Sequence, residues 1–597
     1  MSAQFDVNTV ELKGINLIEA SAGTGKTFTL AELYCRLVVE QKLEVSQILV
    51  VTYTRAATEE LRGRLRARLV DERKQLSQQE QADPQAIKRL QLAIQSFDEA
   101  AIYTIHGFCQ RALQDFAFES GHFFDMEMVA DEQELRQAVA DDFWRRHVSS
   151  ADKAFARYLL QNRQNPESLL QSVSSVIGKP YLEVIPLPEM AAEPLQSLFN
   201  EQFDHVQSLW WLQREQAIAV LQDKNLLNGN KYRTASVSSW IAEMDSLMQA
   251  GKQAGLFEKF AKFGHAELTQ ALKKGQELPE LSLWRACDAL LDTDQQLQTA
   301  RSLQLQQLRQ QLADYLATEL PKRKQQLKLQ AFDDLLLNLQ QALHGPQADK
   351  LIAKIREQFQ AALIDEFQDT DPIQYDCFHT IFANTQQPVF FVGDPKQAIY
   401  SFRGADIFTY LQAKHAAANE FNLDTNWRSH PRLVQAVNHL FERVPQPFLY
   451  EDIPFLPVKA ARPDEACLTL TGQAVSPLSW VWMASDKPFN VSDMMQYAAD
   501  ITADQIADLL NQSAAGEVML TDKDGSQRRL NGGDIAILVR SHKQATTIQQ
   551  ALRARGVNSV QQSRDSVFET PQAVMLERVL MAIAQPSNDS LIATALA

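Results

Sequence analysis

The order of apolar and polar positions divides the chain into stretches of different character. Short apolar runs alternate at first with segments of helical period. Ile15 to Ala20 predicts a strand, Gly25 to Val39 a helix, and Gln47 to Tyr53 a second strand. Ala57, Leu61, Leu65 and Leu69 recur every four residues, which predicts a helix from Ala56 to Leu69 with one apolar stripe. Strand–helix alternation calls for a parallel sheet with helices on its faces.

From about Met128 to about Lys324 the period is helical and the text is rich in Gln, Leu and Ala. Asp294 to Leu312 approaches low complexity, with Gln295, Gln296, Gln298, Gln304, Gln306, Gln307, Gln310 and Gln311, and predicts a solvated helix or helix pair. This region is expected to be a helical domain inserted into the α/β unit. Apolar strands return at Ala362 to Asp365 and at Pro388 to Gly393. Phe421 to Leu423 is expected to open a second unit, with Leu478 to Met483 and Asp534 to Val539 as later strands. Five prolines between Val444 and Pro463 mark a long connection. The expected division is a first lobe of residues 1–128 and 325–417, a helical insertion of 129–324, an incomplete second lobe of 418–569, and the start of a further domain at 570–597.

Composition narrows the class. Of 597 residues 45% are hydrophobic and 22% charged, which excludes a disordered, collagen-like or disulfide-stapled chain. Cys35, Cys109, Cys287, Cys377 and Cys467 are widely spaced without a C-x-x-C, so a reducing, cytoplasmic setting is expected and a zinc site is not. No apolar run approaches the ~18 residues of a membrane span, and residues 1–14 lack a basic segment followed by an apolar one. The net charge of −16 disfavours a protein that coats nucleic acid, but a basic channel can lie in an acidic body.

The candidate chemistry begins at Ala20-Ser21-Ala22-Gly23-Thr24-Gly25-Lys26-Thr27, between a predicted strand and a predicted helix. Backbone N–H groups of such a loop, with the helix N-terminus, cradle phosphates. Lys26 is expected to neutralise the β and γ phosphates of ATP, and the Thr27 hydroxyl to ligate Mg²⁺. Ala20 stands where the general pattern has Gly. The strand Leu363-Ile364 ends in Asp365-Glu366. Asp365 is expected to hold Mg²⁺ through water, and Glu366 to act as general base toward the attacking water.

Several further segments, in order, resemble motifs of the UvrD-like superfamily-one helicases. They are Thr52-Tyr53-Thr54-Arg55-Ala56-Ala57, Thr104-Ile105-His106-Gly107-Phe108-Cys109, Phe332-Asp333-Asp334-Leu335-Leu336, Asp365 to Thr370, Val392 to Asp406, and Asn426-Trp427-Arg428-Ser429. Glu19 to Thr27, Ile364 to Asp371 and Asp394 to Tyr410 resemble the RecB-type branch most, with an AddA-type subunit or a stand-alone UvrD-type helicase as alternatives. The resemblance implies a P-loop NTPase with two RecA-like lobes and a helical insertion in the first. Implied roles are γ-phosphate sensing for Gln397, adenine stacking for Trp427 and γ-phosphate contact for Arg428. Tyr53, Thr54, His106, Tyr400, Phe402 and Arg403 would line a single-strand DNA groove, where base stacking contributes ~1–3 kcal/mol per base. Core packing is the competing reading for Tyr53, Phe402 and His106.

The family's remaining motifs, including an arginine finger, are not found before Ala597, so the chain is expected to be about half of a longer helicase–nuclease. Implied further are 3′→5′ translocation, work on DNA double-strand ends, a heterotrimer with RecC-like gamma and RecD-like alpha subunits, and no membrane. A degenerate motor kept as a DNA-binding scaffold is the rival from another class. Two basic clusters stay ambiguous between DNA contact and solvated surface: Arg62, Arg64, Arg66 and Arg68, and Lys322-Arg323-Lys324.

Overall fold

In a computed structural model the described residues are 3–596, except 80–82, 121–125, 130, 189, 402–403, 466, 485–486, 523–524 and 562–566. Nine strands run from the N-terminus through the first unit: β1 (Ala3–Gln4), β2 (Ile15–Ala20), β3 (Ile48–Thr52), β4 (Ile102–Thr104), β5 (Glu127–Val129), β6 (Leu329–Ala331), β7 (Ala361–Ile364), β8 (Val389–Gly393) and β9 (Asn419–Leu423). Seven of them form one parallel sheet in the order β1-β9-β2-β8-β7-β3-β4. Its central strands are apolar almost throughout because helices cover both faces. Leu17, Leu49, Val51, Ala362, Ile364, Val389 and Phe391 enter one core. Ile18, Ile48, Val50, Ala361, Leu363, Phe390 and Val392 alternate into the other. The helix Arg55–Ser77 buries Leu61, Leu65 and Leu69, the stripe read from the sequence.

The helical region leaves and re-enters this unit through β5 and β6, which pair in parallel. Its spine is a single helix, Ser282–Leu327, of 46 residues and about 70 Å. In the Gln-rich stretch Leu297, Ala300, Leu305, Leu308 and Leu312 are buried, while Gln295, Gln296, Gln298, Gln306 and Gln311 are exposed. The expectation of a solvated helix therefore holds for one face. The other packs on Ala192–Gln222 and on the small helices of residues 133–173.

One sequence expectation is corrected at the sheet edge. Phe421 to Leu423 does not open a second unit but belongs to β9, paired with β2 at Ile18↔Phe421. The open edge of β2 supplies its backbone partners, and Phe5 on the β1 side meets Phe421 edge to face at 5.5 Å. Beyond it the described residues form smaller ladders. Thr425–Asn426 pairs with Lys459–Ala460, and an antiparallel sheet joins Leu468–Leu470, Gln473–Ala474, Val518–Thr521 and Gln527–Arg529. The helices Val491–Ala514 and His542–Ala554 pack through Ala499, Ala503, Ile506, Ala551 and Leu552. Leu478 to Met483 and Asp534 to Val539 are not strands: among the described residues neither finds a ladder partner, and Trp480, Trp482 and Leu538 are exposed. No helix among the described residues is long and apolar enough to cross a membrane.

Candidate functional site

The motif segments emerge at the carboxyl ends of the parallel strands, the edge where open α/β sheets bind ligands. After β2 the chain turns through Ser21 to Gly25 into the helix Lys26–Val39. Thr24 Oγ1 and Thr24 N–H both donate to the Ser21 carbonyl, at 2.8 and 3.1 Å, closing the turn. Gly23 and Gly25 have φ of 80° and 94°, a region glycine enters without steric penalty. No side chain caps this helix, so its first N–H groups point into the loop.

A second segment straps the loop from outside. Asn426 Nδ2 donates to the Ala22 carbonyl at 2.9 Å, and the Trp427 N–H donates to the Gly23 carbonyl at 2.8 Å. Asn426 Oδ1 accepts the N–H groups of Arg428 and Ser429 at 2.9 and 2.8 Å. A Cβ on Gly23 would stand 2.9 Å from Arg428 Cβ, so this approach needs glycine. Trp427 and Phe28 are both exposed and flank Gly25. Arg428 is exposed.

The carboxylates come from the end of β7. Glu366 has a left-handed backbone, φ 49°, with its N–H donating to Asp365 Oδ1 at 2.9 Å. This turns Glu366 toward Lys26, whose Nζ lies 2.8 Å from Glu366 Oε2. Burial, then the neighbouring Glu366 charge, pushes the Asp365 carboxyl up to about 6, while Lys26 opposes the shift. Gln368 Nε2 donates to Glu366 Oε2 at 2.8 Å, and Gln368 Oε1 accepts the Asp394 N–H at 2.9 Å. Gln397 Nε2 donates to Asp394 Oδ2 at 2.6 Å. An unbroken polar chain thus runs from Lys26 through Glu366, Gln368 and Asp394 to Gln397.

On the same crest Tyr53, just past β3, stacks on Tyr400 with ring centroids 5.6 Å apart and planes 20° from parallel. Thr54 caps the helix Arg55–Ser77, its Oγ1 accepting the Ala57 N–H at 3.1 Å. His106 follows β4, whose Thr104 is level with Thr52 of β3. Its ring meets Phe332 edge to face at 6.5 Å and lies 3.9 Å from Asp333. Burial holds the His106 pKa below its usual value, with Asp333 opposing. Phe402 and Arg403 lie outside the described residues.

The basic clusters are largely committed within the chain. Arg62 donates to the Ile102 carbonyl, Arg64 pairs with Glu60, and Arg68 with Glu32 and Glu72; Arg66 is exposed. Lys322 pairs with Glu319, Arg323 with Asp142, and Lys324 with Glu132 and Asp334. Phe28 escaped the sequence reading, and Gln368 and Asn426 stood inside quoted motif segments without a role of their own. Phe28 had a signal, an aromatic opposite the Leu30-Leu33-Leu37 stripe of its helix. Gln368 and Asn426 act through backbone partners 26 and 404 positions away, which no local pattern encodes.

The chain is 35% identical to the RecBCD enzyme subunit RecB of Escherichia coli strain K12, over 99% of this chain and 52% of that protein. It is 32% identical to the subunit of that name from Haemophilus influenzae, over 98% and 53%, and 29% identical to that of Buchnera aphidicola subsp. Acyrthosiphon pisum, over 100% and 52%. It spans about half the length of these curated relatives. Residues 2–418, which hold the parallel sheet, the glycine loop and the carboxylates, match the N-terminal domain of the UvrD/REP helicases, and the chain belongs to that family.

Proposed function

We propose that this chain is the ATP-driven, DNA-translocating motor of a RecB-type helicase–nuclease. The observation that carries the reading is the polar chain from Lys26 to Gln397, whose far end lies on the segment that presents Tyr400. It connects a nucleotide-type loop to a pair of stacked aromatics on one sheet edge.

Ser21 to Thr27 cradle the phosphates, and Lys26 exchanges its bond to Glu366 for phosphate oxygens. Glu366, released from Lys26 and held by Gln368, orients and deprotonates the attacking water. Trp427 and Phe28 supply apolar faces beside Gly25 for the adenine, and Arg428 reaches the γ-phosphate. The residues present fit Mg²⁺, which takes oxygen ligands and is usually held by one or two carboxylates plus substrate phosphates. Asp365 and the Thr27 hydroxyl offer that set, and the unfavourable ionisation of Asp365 beside Glu366 is what a divalent cation relieves. When bound, the ion neutralises charge on the phosphates. Tyr53 and Tyr400 stack on bases of a single strand, with Thr54 and His106 along the same groove; for Phe402 and Arg403 the DNA-binding role rests on the motif resemblance alone.

For the whole protein the reading extends to 3′→5′ unwinding of DNA double-strand ends in a cytoplasmic complex with RecC-like gamma and RecD-like alpha subunits. The test is DNA-stimulated ATP turnover and unwinding by the full-length complex with and without Lys26→Ala. Loss of about 10²-fold or more with an unchanged fold is expected. Unwinding at the parent rate rejects the assignment.

A further inference from the structure

Glu19 lies one residue before the Ala20–Thr27 loop and is 3% exposed. In the sheet it is level with Gly393 of β8 and Asn422 of β9. Its Oε1 accepts from Lys414 Nζ at 3.0 Å and from the Tyr410 hydroxyl at 3.3 Å. Both partners are on the helix Ile407–Ala416, one turn apart. Lys414 Nζ also reaches Glu420 at 3.2 Å and donates to the Asp452 carbonyl at 3.0 Å. A carboxylate at this depth is costly unless paired and hydrogen-bonded, and an apolar side chain would fill the place without that cost. The pair is thus weak evidence of added stability, and its geometry is the feature to account for.

What it fixes follows from the chain path. Just before the helix Ile407–Ala416, the Ala405 N–H donates to the Tyr400 carbonyl at 3.3 Å and the Gly404 N–H to the Ser401 carbonyl at 3.0 Å, so the helix start is bonded to the residues 395–401 that carry Gln397 and Tyr400. Its N-cap, Asp406, is tied down as well: Asp406 Oδ1 accepts the Phe408 N–H at 3.1 Å, and the Asp406 N–H donates to the Thr370 carbonyl at 3.2 Å. The front of segment 395–401 is tethered to Lys26 through Asp394, Gln368 and Glu366. Its rear is tethered to the strand entering the loop through Tyr410, Lys414 and Glu19. Two separate tethers thus hold one segment to the two sides of one loop.

We propose that Glu19 is a positioning residue which, through Lys414, keeps the DNA-facing residues 395–401 in register with the nucleotide loop, so that DNA contact and ATP turnover are coupled through both ends of that segment. This rests on the functional reading above. Glu19 and Lys414 touch neither nucleotide nor DNA; they set how far the loop moves when the segment moves.

The test uses the full-length complex carrying Glu19→Gln, Lys414→Met, or both. Turnover is measured against ATP concentration with and without saturating single-stranded DNA, beside a melting curve. Glu19→Gln keeps the shape and the bond from Tyr410 and removes the charge. Each single variant is expected to keep DNA-free turnover and the KM for ATP within about twofold of the parent. DNA stimulation is expected to fall about tenfold or more, as a sub-ångström misplacement of reacting groups does. The double variant removes both charges, leaves only the partly exposed Glu420 without its partner, and is expected to lose no more stimulation than the single ones. Full stimulation in the double variant overturns the inference. So does a loss of DNA-free turnover, KM and stimulation together, in step with the melting temperature, which marks a structural brace. A parent protein without DNA-stimulated turnover overturns the functional reading itself, a result visible before any variant is compared.

Discussion

Lys26 Nζ and Glu366 Oε2 stand 2.8 Å apart across 340 positions of sequence. The helical insertion lies between them in the chain, so the contact is made by the sheet: β2 ends in the loop of Lys26, and β7, two strands over, ends at Asp365 and Glu366. Glu366 meets Lys26 from a left-handed backbone that a non-glycine residue adopts at a penalty of roughly 1–2 kcal/mol. Strain held at one such residue is what over-determined functional geometry looks like. Glu366→Gln keeps the amide-compatible bonds to Gln368 and removes the base. Turnover is expected to fall about 10²–10⁴-fold with ATP affinity retained, read by steady-state kinetics and a nucleotide-binding titration.

Gly393 extends the same point to the backbone. A Cβ there would lie 2.7 Å from Gln368 Oε1 and 3.1 Å from the Gln368 nitrogen. Gly393→Ala must displace Gln368, which is 2% exposed and holds both Glu366 and Asp394. Loss of about 1–3 kcal/mol of stability is expected, with turnover lowered because Glu366 loses the Gln368 bond that holds it. A Gly393→Ala protein with parental kinetics contradicts the bridging role of Gln368.

The Tyr53–Tyr400 stack makes a separable prediction. Tyr400→Ala is expected to weaken single-strand binding by ~1–3 kcal/mol and to leave nucleotide affinity unchanged. Binding of the parent protein should weaken steeply as salt rises, because each neutralised phosphate releases counterions. Fluorescence anisotropy of a labelled oligonucleotide across a salt series checks both. Salt-independent affinity rejects this groove.

The first unit was legible because its chemistry and its folding use the same short segments. Ile15 to Ala20 and Ala362 to Ile364 are strands buried on both faces, and their ends carry the loop and the carboxylates. The second unit was not. Leu478 to Met483 has the apolar content of a strand, but pairing is a property of a neighbouring edge, not of the segment. Phe421 shows the converse, since a strand that ends one sheet and a strand that begins another have the same local pattern. The Arg62 to Arg68 stripe shows a third limit: a basic face is visible, but the partners that occupy it, such as Glu32, come from other elements.

Asp371 gives a pH dependence. It caps the helix Pro372–Phe382, accepting the Gln374 N–H at 2.8 Å. Burial pushes its carboxyl up to about 6; the N–H groups of Gln374 and Ile373 oppose this, Asp333 adds to it, and Lys179 opposes it. Tyr181 and Cys109 also feel its charge. The folded state thus holds a proton that the unfolded state, with a carboxyl pKa of 3.8, has lost. Stability therefore falls as pH rises from about 4 to about 6, by up to ~3 kcal/mol, and stays lower above that range. Asp371→Asn keeps an N-capping acceptor and removes the charge. Its melting temperature is expected to exceed the parent's at pH of about 7 and to match it near pH of about 4. Equal melting at both values contradicts a buried, ionising Asp371.

Lys324 is where the insertion is fastened to the sheet unit. Its side chain is 8% exposed, three residues before the long helix ends, and it pairs with Glu132 and Asp334. Glu132 precedes the first helix of the insertion, and Asp334 is in the first turn of Phe332–Leu343, where its Oδ2 also accepts the Ala331 N–H at 2.7 Å. One buried ammonium therefore joins a carboxylate from each body beside the β5–β6 crossing. Burial alone would raise the Glu132 pKa; Lys324, then Arg136, more than offset it and hold the carboxyl below its usual range. Lys324→Met leaves Asp334 without its cation and Glu132 with Arg136 alone, and breaking a buried pair in this way destabilises by up to about 3–5 kcal/mol. Adding Glu132→Gln and Asp334→Asn removes the uncompensated charges and is expected to recover most of that loss. Denaturant unfolding of the three proteins, with limited proteolysis at the 126–132 connection, reads the effect. Lys324→Met is expected to be cut faster there and the triple variant at nearly the parent rate. If Lys324→Met is as resistant as the parent, the insertion is held by its apolar packing alone, and the lysine is not the fastening.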